Sequence, residues 1–365
     1  MIKYALIGVG RIAINHVKAL HQHENKLQFC AVCDLLEENV KTCFNKAQYN
    51  KKIPFYTDYK QMIKEIHPDF VAIATDSGKH AEIGKYCLEH NCHVLIEKPI
   101  AMSIQDAQEL IDIAKKNNLI LGGCHQNRFN KSVQKLHEAL INNRFGKISH
   151  IAAHVRWNRN EDYYKQASWR GKWASDGGCL MNQCIHNADL ICWLLGDIDE
   201  VFAYTNNVMH PYIDGEDLGL ALIKAKNGTY ALFEGTVNVY PRNLEETLYV
   251  FGEKGTVKLA GKSVNLIEEW NFADNKDDIE KIKEEGSEQP LNIYGFGHSR
   301  VYEDFIQAIE TGGKHHLLID GEAAKRALEL ILAMYKSKKT GLPVKLPLTD
   351  FASADMKGTF NNDKY

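Results

Sequence analysis

The N-terminal segment holds the feature that most restricts the fold of this chain. An apolar run ends at Ile7 and leads directly into the glycine motif Gly8-x-Gly10-x-x-Ala13. Small residues at these three positions permit a tight turn, close approach of the backbone to a pyrophosphate, and close packing of a helix on a strand. The motif therefore predicts a dinucleotide-binding βαβ unit. We expect four of its residues to contact the dinucleotide: Gly8, Gly10, Arg11 and Ile12.

An acidic residue, Asp34, ends the second predicted strand. A carboxylate in this position binds the ribose 2′-hydroxyl of the cofactor and repels a 2′-phosphate. The next two residues, Leu35 and Leu36, provide no arginine for such a phosphate. Asp34 therefore predicts NAD as the cofactor rather than NADP.

The first third of the chain alternates short apolar segments with amphipathic ones. Strands are predicted at residues 4–8, 28–34, 70–75, 93–97 and 120–124, and helices at 37–49, 78–90 and 103–117. Since parallel strands need helical crossovers and are covered on both faces, this alternation predicts an α/β domain at 1–124. We expect a Rossmann, doubly wound parallel sheet there.

Beyond residue 125 most segments are strands joined by short turns. Strands are predicted at 147–157 (an edge strand or one with a single buried face), 200–208, 218–224, 230–238, 247–251 and 256–259. Helices are predicted at 130–142, 182–195, 299–311 and 320–338, and a surface loop at 274–288. Strands that follow each other through short turns pair antiparallel. We therefore expect a second, α+β domain at 125–365 with an open, mainly antiparallel sheet.

Polar residues follow two of the N-terminal strands. Thr75 and His80 come after one strand, and Glu97 and Lys98 after the next. Ligands of open α/β sheets bind at the carboxyl ends of strands, so these four are candidate cofactor contacts. Lys98 stands between an apolar strand and Pro99, which predicts a half-buried ammonium able to transfer a proton or polarise an oxygen. The alternative is a lysine that extends into solvent.

The densest polar string of the second domain begins at Asp176. Its glycines, Gly177 and Gly178, predict a flexible start to a helix that carries Asn182 and His186. Because these two are four residues apart, they share one face of the helix. An imidazole beside an amide on such a face is a candidate general base, against the alternative of an ordinary core histidine.

Composition excludes several classes of protein. The chain is 44% apolar and 25% charged with a net charge of −3, and no apolar run approaches the ~20 residues of a membrane span, so no membrane partner is expected. Nine cysteines without a secretory signal favour a reducing, cytoplasmic compartment. Cys30 and Cys33 fall on opposite faces of a strand, which argues against a redox pair or metal clip, and no metal site is predicted.

Positive charge is concentrated between residues 124 and 175. Ten Lys and Arg face three Asp and Glu there, a local net charge of +7. No nucleic-acid-binding motif accompanies this charge, so nucleic acid is not an expected partner. For most of these residues a solvated surface is the simpler interpretation. The alternative is that some of them bind an anionic substrate, and the candidate counter-charges are Arg128, Arg156, Arg159 and Arg170.

Together, the glycine motif, Glu97-Lys98-Pro99 and the Gly-Gly…His…Asp helix resemble the Gfo/Idh/MocA oxidoreductases. The usual pattern of that family has an aspartate where this chain has Asn182. With asparagine there, the chain is similar to the branch that oxidises UDP-N-acetylglucosaminuronic acid at C3. The matching segments are His125-Gln126-Asn127-Arg128, Arg144-Phe145-Gly146-Lys147-Ile148, Asp162-Tyr163-Tyr164, Trp169-Arg170-Gly171, Met181-Asn182-Gln183, Tyr240-Pro241-Arg242-Asn243-Leu244-Glu245, Gly252-Glu253-Lys254-Gly255-Thr256-Val257 and Tyr294-Gly295-Phe296-Gly297-His298.

The resemblance implies that NAD+ accepts hydride from a nucleotide-sugar acid used in surface-polysaccharide synthesis. It implies Lys98 and His186 as the catalytic pair, with either as the base, and adds Gln126 to the cofactor contacts. The implied substrate contacts are Arg128, Tyr164, Trp169, Arg170, Asn182, Gln183 and His186. The resemblance also implies a homo-oligomer, dimer or tetramer, formed through the open sheet.

Two alternatives stay open. A relative that oxidises a free sugar or a cyclitol such as inositol would share the cofactor loop and the pair of Lys98 and His186. A non-catalytic sensor of NAD or sugar would need neither side chain, so their joint presence favours an enzyme. The sequence also leaves open whether NAD is recycled in place by a 2-oxo acid.

Overall fold

The computed structural model describes residues 1–288 and 297–360, which form two compact units. The first unit combines residues 1–125 with 297–325, and the second combines 126–288 with 326–360. None of the helices in these described ranges is long and apolar enough to cross a membrane.

The first unit is built on a six-stranded parallel sheet. Its strands are β1 (Ile2–Ile7), β2 (Leu27–Cys33), β3 (Phe55–Tyr56), β4 (Phe70–Ile73), β5 (His93–Glu97) and β6 (Leu121–Cys124), in the order β3-β2-β1-β4-β5-β6. Its N-terminal helices are α1 (Ala13–Gln22), α2 (Glu37–Ala47), α3 (Tyr59–Ile66), α4 (His80–Glu89) and α5 (Ile104–Lys116). The strand order runs outwards in opposite directions from β1 and β4. Open α/β sheets bind their ligands at such a switch point, beyond the carboxyl ends of the strands.

The second unit contains an eight-stranded sheet with helices. The strands are β7 (Ile148–Arg156), β8 (Ile198–Asn206), β9 (Leu218–Ala225), β10 (Tyr230–Thr236), β11 (Glu245–Gly252), β12 (Gly255–Ala260), β13 (Leu266–Phe272) and β14 (Val344–Lys345). Their order is β13-β12-β11-β7-β10-β9-β8-β14, and every neighbouring pair except β7 with β10 is antiparallel. The helices are α6 (Lys131–Ile141), α7 (Glu161–Lys165), α8 (Ile185–Leu195) and α9 (Ile279–Gly286). The predicted fold class is confirmed for both units.

Alternating burial explains why this sheet has one open face. Along β9, Ala221 and Ile223 are buried, whereas Leu220 and Leu222 are exposed. Since successive side chains of a strand point to opposite faces, one face packs on helices and the other lies open. β7 lies inside the sheet, between β10 and β11, so its prediction as an edge strand is wrong and the one-face alternative is correct.

Two final helices follow, α10 (Gly297–Glu310) and α11 (Gly321–Thr340). α10 belongs to the first unit: the hydroxyl of Tyr302 lies 2.6 Å from that of Tyr4, and the ring of Phe305 stacks on Phe70 at 4.5 Å. This grouping differs from the predicted continuous second domain, 125–365. Helical periodicity reveals the apolar face of α10, but it does not show which sheet that face covers.

One predicted loop is wrong. Within residues 274–288 the structure has α9, whose first turn is capped by the Asp278 carboxylate accepting from the Lys281 backbone N–H at 3.2 Å. The charged composition concealed a helix because its Glu and Lys residues are also good helix formers. Strand β13, which precedes α9, was not predicted. Of the matched segment at 294–298, residues 294–296 lie outside the described residues.

Replacing Phe305 by Ala should destabilise the first unit. Removal of a buried phenylalanine ring costs about 3–5 kcal/mol, and Phe305 is 1% exposed. We expect F305A to lower the melting temperature of the transition that NAD raises. L342A, at a position that is 63% exposed, is the matched control. An unchanged NAD-sensitive transition in F305A would contradict the assignment of α10 to this unit.

Candidate active site

Gly8 allows two strand ends to approach closely. Its φ is +87°, and a Cβ built on it would lie 2.5 Å from the backbone nitrogen of Thr75, which follows β4. Only glycine fits this contact. A Cβ on Gly10 would meet no atom within 4 Å, so the loop is open on that side for a ligand. Arg11 is exposed, and Ile12 precedes α1 with an apolar side chain that cannot cap its N–H groups, which suits a bound phosphate.

Asp34 has a second role that the sequence did not reveal. Its Oδ2 accepts from the Val9 N–H at 2.7 Å, and its Oδ1 accepts from Leu36 N and Asn39 Nδ2 at 3.0 and 2.8 Å. The carboxylate therefore anchors the glycine loop to the end of β2. Its negative charge also remains where it would oppose a 2′-phosphate.

His80 lies between the segments that follow β4 and β5. It is buried, with Nδ1 2.7 Å from the carbonyl of Pro99 and Nε2 3.3 Å from that of Thr75. Burial lowers the pKa of His80, which favours the neutral imidazole. The structure thus shows His80 bridging two strand ends, and its direct contact with the cofactor stays a prediction.

Glu97 lies at the centre of a buried hydrogen-bond network. His16 Nε2 and His298 Nε2 lie 3.0 and 3.2 Å from its Oε1, and its Oε2 accepts from the backbone N–H of half-buried Lys98 at 3.2 Å. Burial alone would raise the pKa of Glu97, but the two imidazole hydrogen bonds outweigh it and hold the pKa well below its usual range. His16 also lies 2.8 Å from the hydroxyl of Tyr302.

The sequence did not reveal that His16 and His298 pair with Glu97, because nothing in their local sequence points to it; His298 appears only as the end of a matching segment. The ligand atoms of these two and Glu97 lie within 4.8 Å of one another, close enough to hold a metal ion. The hydrogen bonds above already account for their proximity. An ionised carboxylate next to the backbone of Lys98 fits a network that fixes this strand end.

The helix with the candidate base is held at its start by Glu216. A Cβ on Gly178 would lie 1.3 Å from Glu216 Oε2, so the carboxyl group fills the space of a side chain there. Glu216 Oε1 accepts from the Leu180 N–H at 2.7 Å and the Tyr335 hydroxyl at 2.9 Å. The hydroxyl of Tyr335 in turn accepts from Met181 N at 3.2 Å. Gly178 therefore serves close packing, a role that the sequence did not reveal.

A widened π-helical turn, Leu180–Cys184, precedes α8 and contains Asn182. Single π turns are frequent at functional sites because they shift the face that following side chains present. His186 is 7% exposed, and its Nε2 lies 3.4 Å from the amide nitrogen of Gln126. Gln126, predicted at the cofactor, thus lies beside the candidate base.

The structure supplies a physical reason for asparagine at position 182. Asn182 Nδ2 donates a hydrogen bond to the carboxylate of Asp176, a residue that is 3% exposed. An aspartate at 182 would bring two carboxylates into contact, and one would have to take up a proton.

Aromatic rings and two guanidinium groups surround this turn. Arg159 and Arg170 lie over the ring of Tyr163 at 5.0 and 4.2 Å, and Arg170 lies 4.8 Å from the ring of Trp169. Arg159 also donates to the side chain of Gln183. Tyr164 packs on the ring of His210 at 5.7 Å, and burial raises its pKa. Five predicted substrate contacts therefore come together: Tyr164, Trp169, Arg170, Asn182 and Gln183.

Two of the four candidate arginines are committed elsewhere. Arg128 makes a buried two-pronged ion pair with Asp189, at 2.7 and 2.6 Å. Arg156 binds Glu234 and Glu245, each at 2.6 Å. The net charge of the segment 124–175 does not reveal these ion pairs, because their acidic partners lie outside that segment. The structure thus pairs Arg128 with Asp189, and its contact with the substrate stays a prediction.

Comparisons with known proteins identify the family of the chain. A model of the oxidoreductase family with an NAD-binding Rossmann fold matches residues 2–124, and a model of the GFO/IDH/MocA C-terminal domain matches residues 133–258. The chain belongs to the Gfo/Idh/MocA family. It is an NAD-dependent oxidoreductase, as predicted.

Two solved structures and one further relative match almost the whole chain. WlbA dehydrogenase from Bordetella pertussis, in complex with NADH and UDP-GlcNAcA, is 32% identical with a TM-score of 0.88, covering 95% of this chain and 98% of that one. WlbA from Chromobacterium violaceum, with the same ligands, is 34% identical with a TM-score of 0.86, covering 95% and 96%. Myo-inositol 2-dehydrogenase from Thermotoga maritima is 24% identical over 94% of this chain and 98% of its own.

The buried Glu216 should make stability depend on pH. Burial raises its pKa from 4.5 to about 8. A raised carboxyl pKa contributes stability that is full below pH 4.5 and is lost as pH rises to 8, by at most about 1.4 kcal/mol per pH unit. E216Q lacks this titration, so we expect its melting temperature to gain on the wild type between pH 5 and 8.

The control for this measurement is E284Q, which changes an exposed glutamate of the same unit. Burial also raises the pKa of Glu246 to about 8, but that group is common to both proteins, so their difference isolates Glu216. A difference in melting temperature between the wild type and E216Q that stays constant across this range would contradict a neutral Glu216.

Proposed function

We propose that this enzyme oxidises the C3 hydroxyl of a UDP-sugar acid, UDP-N-acetylglucosaminuronate, to the 3-keto sugar for surface-polysaccharide precursors. The observation that carries the proposal is the pair of solved relatives above 30% identity, whose crystals hold NADH and UDP-GlcNAcA. A match over 95% of this chain makes a shared substrate class the simplest expectation.

The guanidinium groups of Arg159 and Arg170 support the proposal of an anionic nucleotide sugar as the substrate. Arg159 and Arg170 lie against aromatic rings rather than in ion pairs with carboxylates among the described residues. Guanidinium groups bind diphosphate and carboxylate oxygens through paired hydrogen bonds. Tyr163 and Trp169 add flat surfaces suited to a base or a sugar ring.

The proposed reaction breaks the C–H bond at C3 and the O–H bond of the C3 hydroxyl. Hydride leaves the carbon for the nicotinamide of NAD+, and the hydroxyl proton passes to a base as the C=O bond forms. His186 is our first choice as base, since an imidazole exchanges protons near neutral pH. Lys98 would then hydrogen-bond the same oxygen and stabilise its developing charge, and the two roles can be exchanged. Asn182 and Gln183 would orient the sugar.

The alternative substrate is an uncharged polyol. It is favoured by the match to myo-inositol 2-dehydrogenase over almost the whole chain. That relative is less similar than the two UDP-sugar complexes, and an uncharged substrate has no use for the guanidinium pair. A direct comparison of substrates separates the two hypotheses.

The test follows formation of NADH spectroscopically with NAD+ and either UDP-N-acetylglucosaminuronate or myo-inositol. Addition of 2-oxoglutarate reveals turnover in case bound NADH is recycled in place. We expect oxidation of the UDP-sugar acid. Oxidation of the polyol alone would reject the proposed substrate and support the alternative.

Loss of either catalytic side chain should abolish turnover without loss of the cofactor. We expect K98A and H186A to lower kcat by roughly 10²-fold or more, because each removes a group that handles the proton or charge on the sugar oxygen. Binding of NADH, measured by fluorescence, should persist in both variants. K172A, at an exposed lysine of the same basic segment, is the matched control. Turnover by either variant at the wild-type rate would reject the assigned pair.

We also propose a homo-oligomer formed through the open face of the second sheet. Phe202, Leu222 and Leu232 lie side by side on β8, β9 and β10, and the two leucines are 62% and 41% exposed. A contiguous exposed apolar row marks an interaction surface, and a second copy of the same face matches it. The nine cysteines, all free thiols, fit a cytoplasmic location.

A charged side chain on this row should dissociate the oligomer. We expect L222D to shift the mass measured by light scattering to that of the monomer, because the carboxylate cannot be buried between two apolar faces. I141D places the same charge at another leucine-sized exposed side chain, on α6, and should leave the mass unchanged. An unaltered mass in L222D, or a monomeric wild type, would contradict this interface.

A further inference from the structure

Two amide side chains lie head to tail between a guanidinium and a carboxylate. Arg159 donates from Nε and Nη2 to Gln183 Oε1, at 3.1 and 2.7 Å. Gln183 Nε2 donates to Asn182 Oδ1 at 3.0 Å. Asn182 Nδ2 donates to Asp176 Oδ1. The four side chains form one hydrogen-bond chain, and every bond in it points from the arginine towards the aspartate.

Both ends of this chain are fixed in place. Asp176 is buried, and its second oxygen accepts from the Gly171 N–H at 2.5 Å. Arg159 donates from Nη1 to the carbonyl of Asn158 at 2.6 Å and to Asn243 Oδ1 at 3.0 Å. A guanidinium can only donate and an ionised carboxylate can only accept, so the chain cannot run in the opposite direction.

The fixed ends leave each amide a single orientation. Rotating the Gln183 amide by half a turn would place its NH2 group against the guanidinium. Rotating the Asn182 amide would place its oxygen against the carboxylate. The amide of an isolated side chain can rotate by half a turn at little cost, so that its oxygen and nitrogen change places, but these two amides cannot. The charges at both ends of the chain also strengthen the hydrogen bonds between them.

We propose that Arg159 and Asp176 are positioning residues that determine which atoms of Asn182 and Gln183 face the sugar. This inference rests on the proposed function, in which both amides contact the substrate. Asp176 acts through Asn182, which lies in the turn before α8, four residues ahead of His186. The carboxylate of Asp176, in the loop before the helix, thus acts on this helix face through its hydrogen bond to Asn182.

An exchange of side chains tests the direction of the chain. In D176N one terminal atom of residue 176 becomes a donor, so the new amide cannot accept from both the Gly171 N–H and Asn182 Nδ2. N182D puts two carboxylates in contact. We expect each to lower kcat/KM for the sugar roughly 10- to 100-fold, since a small misplacement of binding groups has such effects. The KM for NAD+ should be unchanged.

The double variant D176N/N182D should recover activity. The new amide at 176 accepts from Gly171 through its oxygen and donates through its nitrogen to the new carboxylate at 182, which still accepts from Gln183. Every donor again meets an acceptor, and only the bond between positions 176 and 182 reverses, so we expect kcat/KM within about threefold of the wild type, a much smaller loss than the two single losses combined.

The pH profile provides a readout that a purely structural role would not move. In N182D the two carboxylates share a proton at low pH, and the protonated group can donate again, so its activity relative to wild type should rise as pH falls. The double variant should show no such rise relative to the wild type. D197N, at an exposed aspartate of the same unit, controls for the amide substitution itself.

Melting temperature and NADH binding confirm that each variant is folded. A folded double variant as inactive as the single variants, or a flat relative profile for N182D, would overturn the positioning role. Failure of the proposed function would look different. The wild type would then not oxidise the UDP-sugar acid, and the same exchange would be measured with the sugar that it does oxidise.

Discussion

The packing of a carboxyl group against Gly178 is the constraint on which the second unit's site depends. Glu216 occupies the space of a missing side chain and binds the first N–H groups of the widened turn, together with Tyr335. Any side chain at 178 would displace it. Because Asn182, Gln183 and His186 all follow within eight residues, their positions depend on this contact. A neutral carboxyl group is the form that burial favours there.

In the first unit, too, a glycine allows a close contact that positions the site. Gly8 lets the ends of β1 and β4 come together, Asp34 anchors the loop that follows, and Glu97 fixes the end of β5 between two imidazoles. The glycine loop and the strand that ends before Lys98 are thus held by buried polar groups. Such groups are costly to bury unless their hydrogen bonds are satisfied, so they specify one arrangement of the strand ends.

Local patterns in the sequence predicted what depends on neighbouring residues. The glycine motif, the acid at 34 and the alternation of strands and helices established the Rossmann domain and its cofactor. Contacts between distant residues were not predictable from such patterns. Nothing near Arg128 shows that Asp189 pairs with it, and nothing near Glu97 shows that His298 lies beside it. The same holds for α10, whose apolar face is evident although its partner sheet is not, and for α9, whose charged helix formers resemble a surface loop.

The central claim is that hydride passes from C3 of a UDP-sugar acid to NAD+. It can be tested with UDP-N-acetylglucosaminuronate carrying deuterium at C3, incubated with the enzyme and unlabelled NAD+, followed by mass spectrometry of the cofactor. The account predicts reduced cofactor one mass unit heavier, with deuterium on the nicotinamide ring. Reduced cofactor without the label would contradict it, because hydride would then have left another carbon.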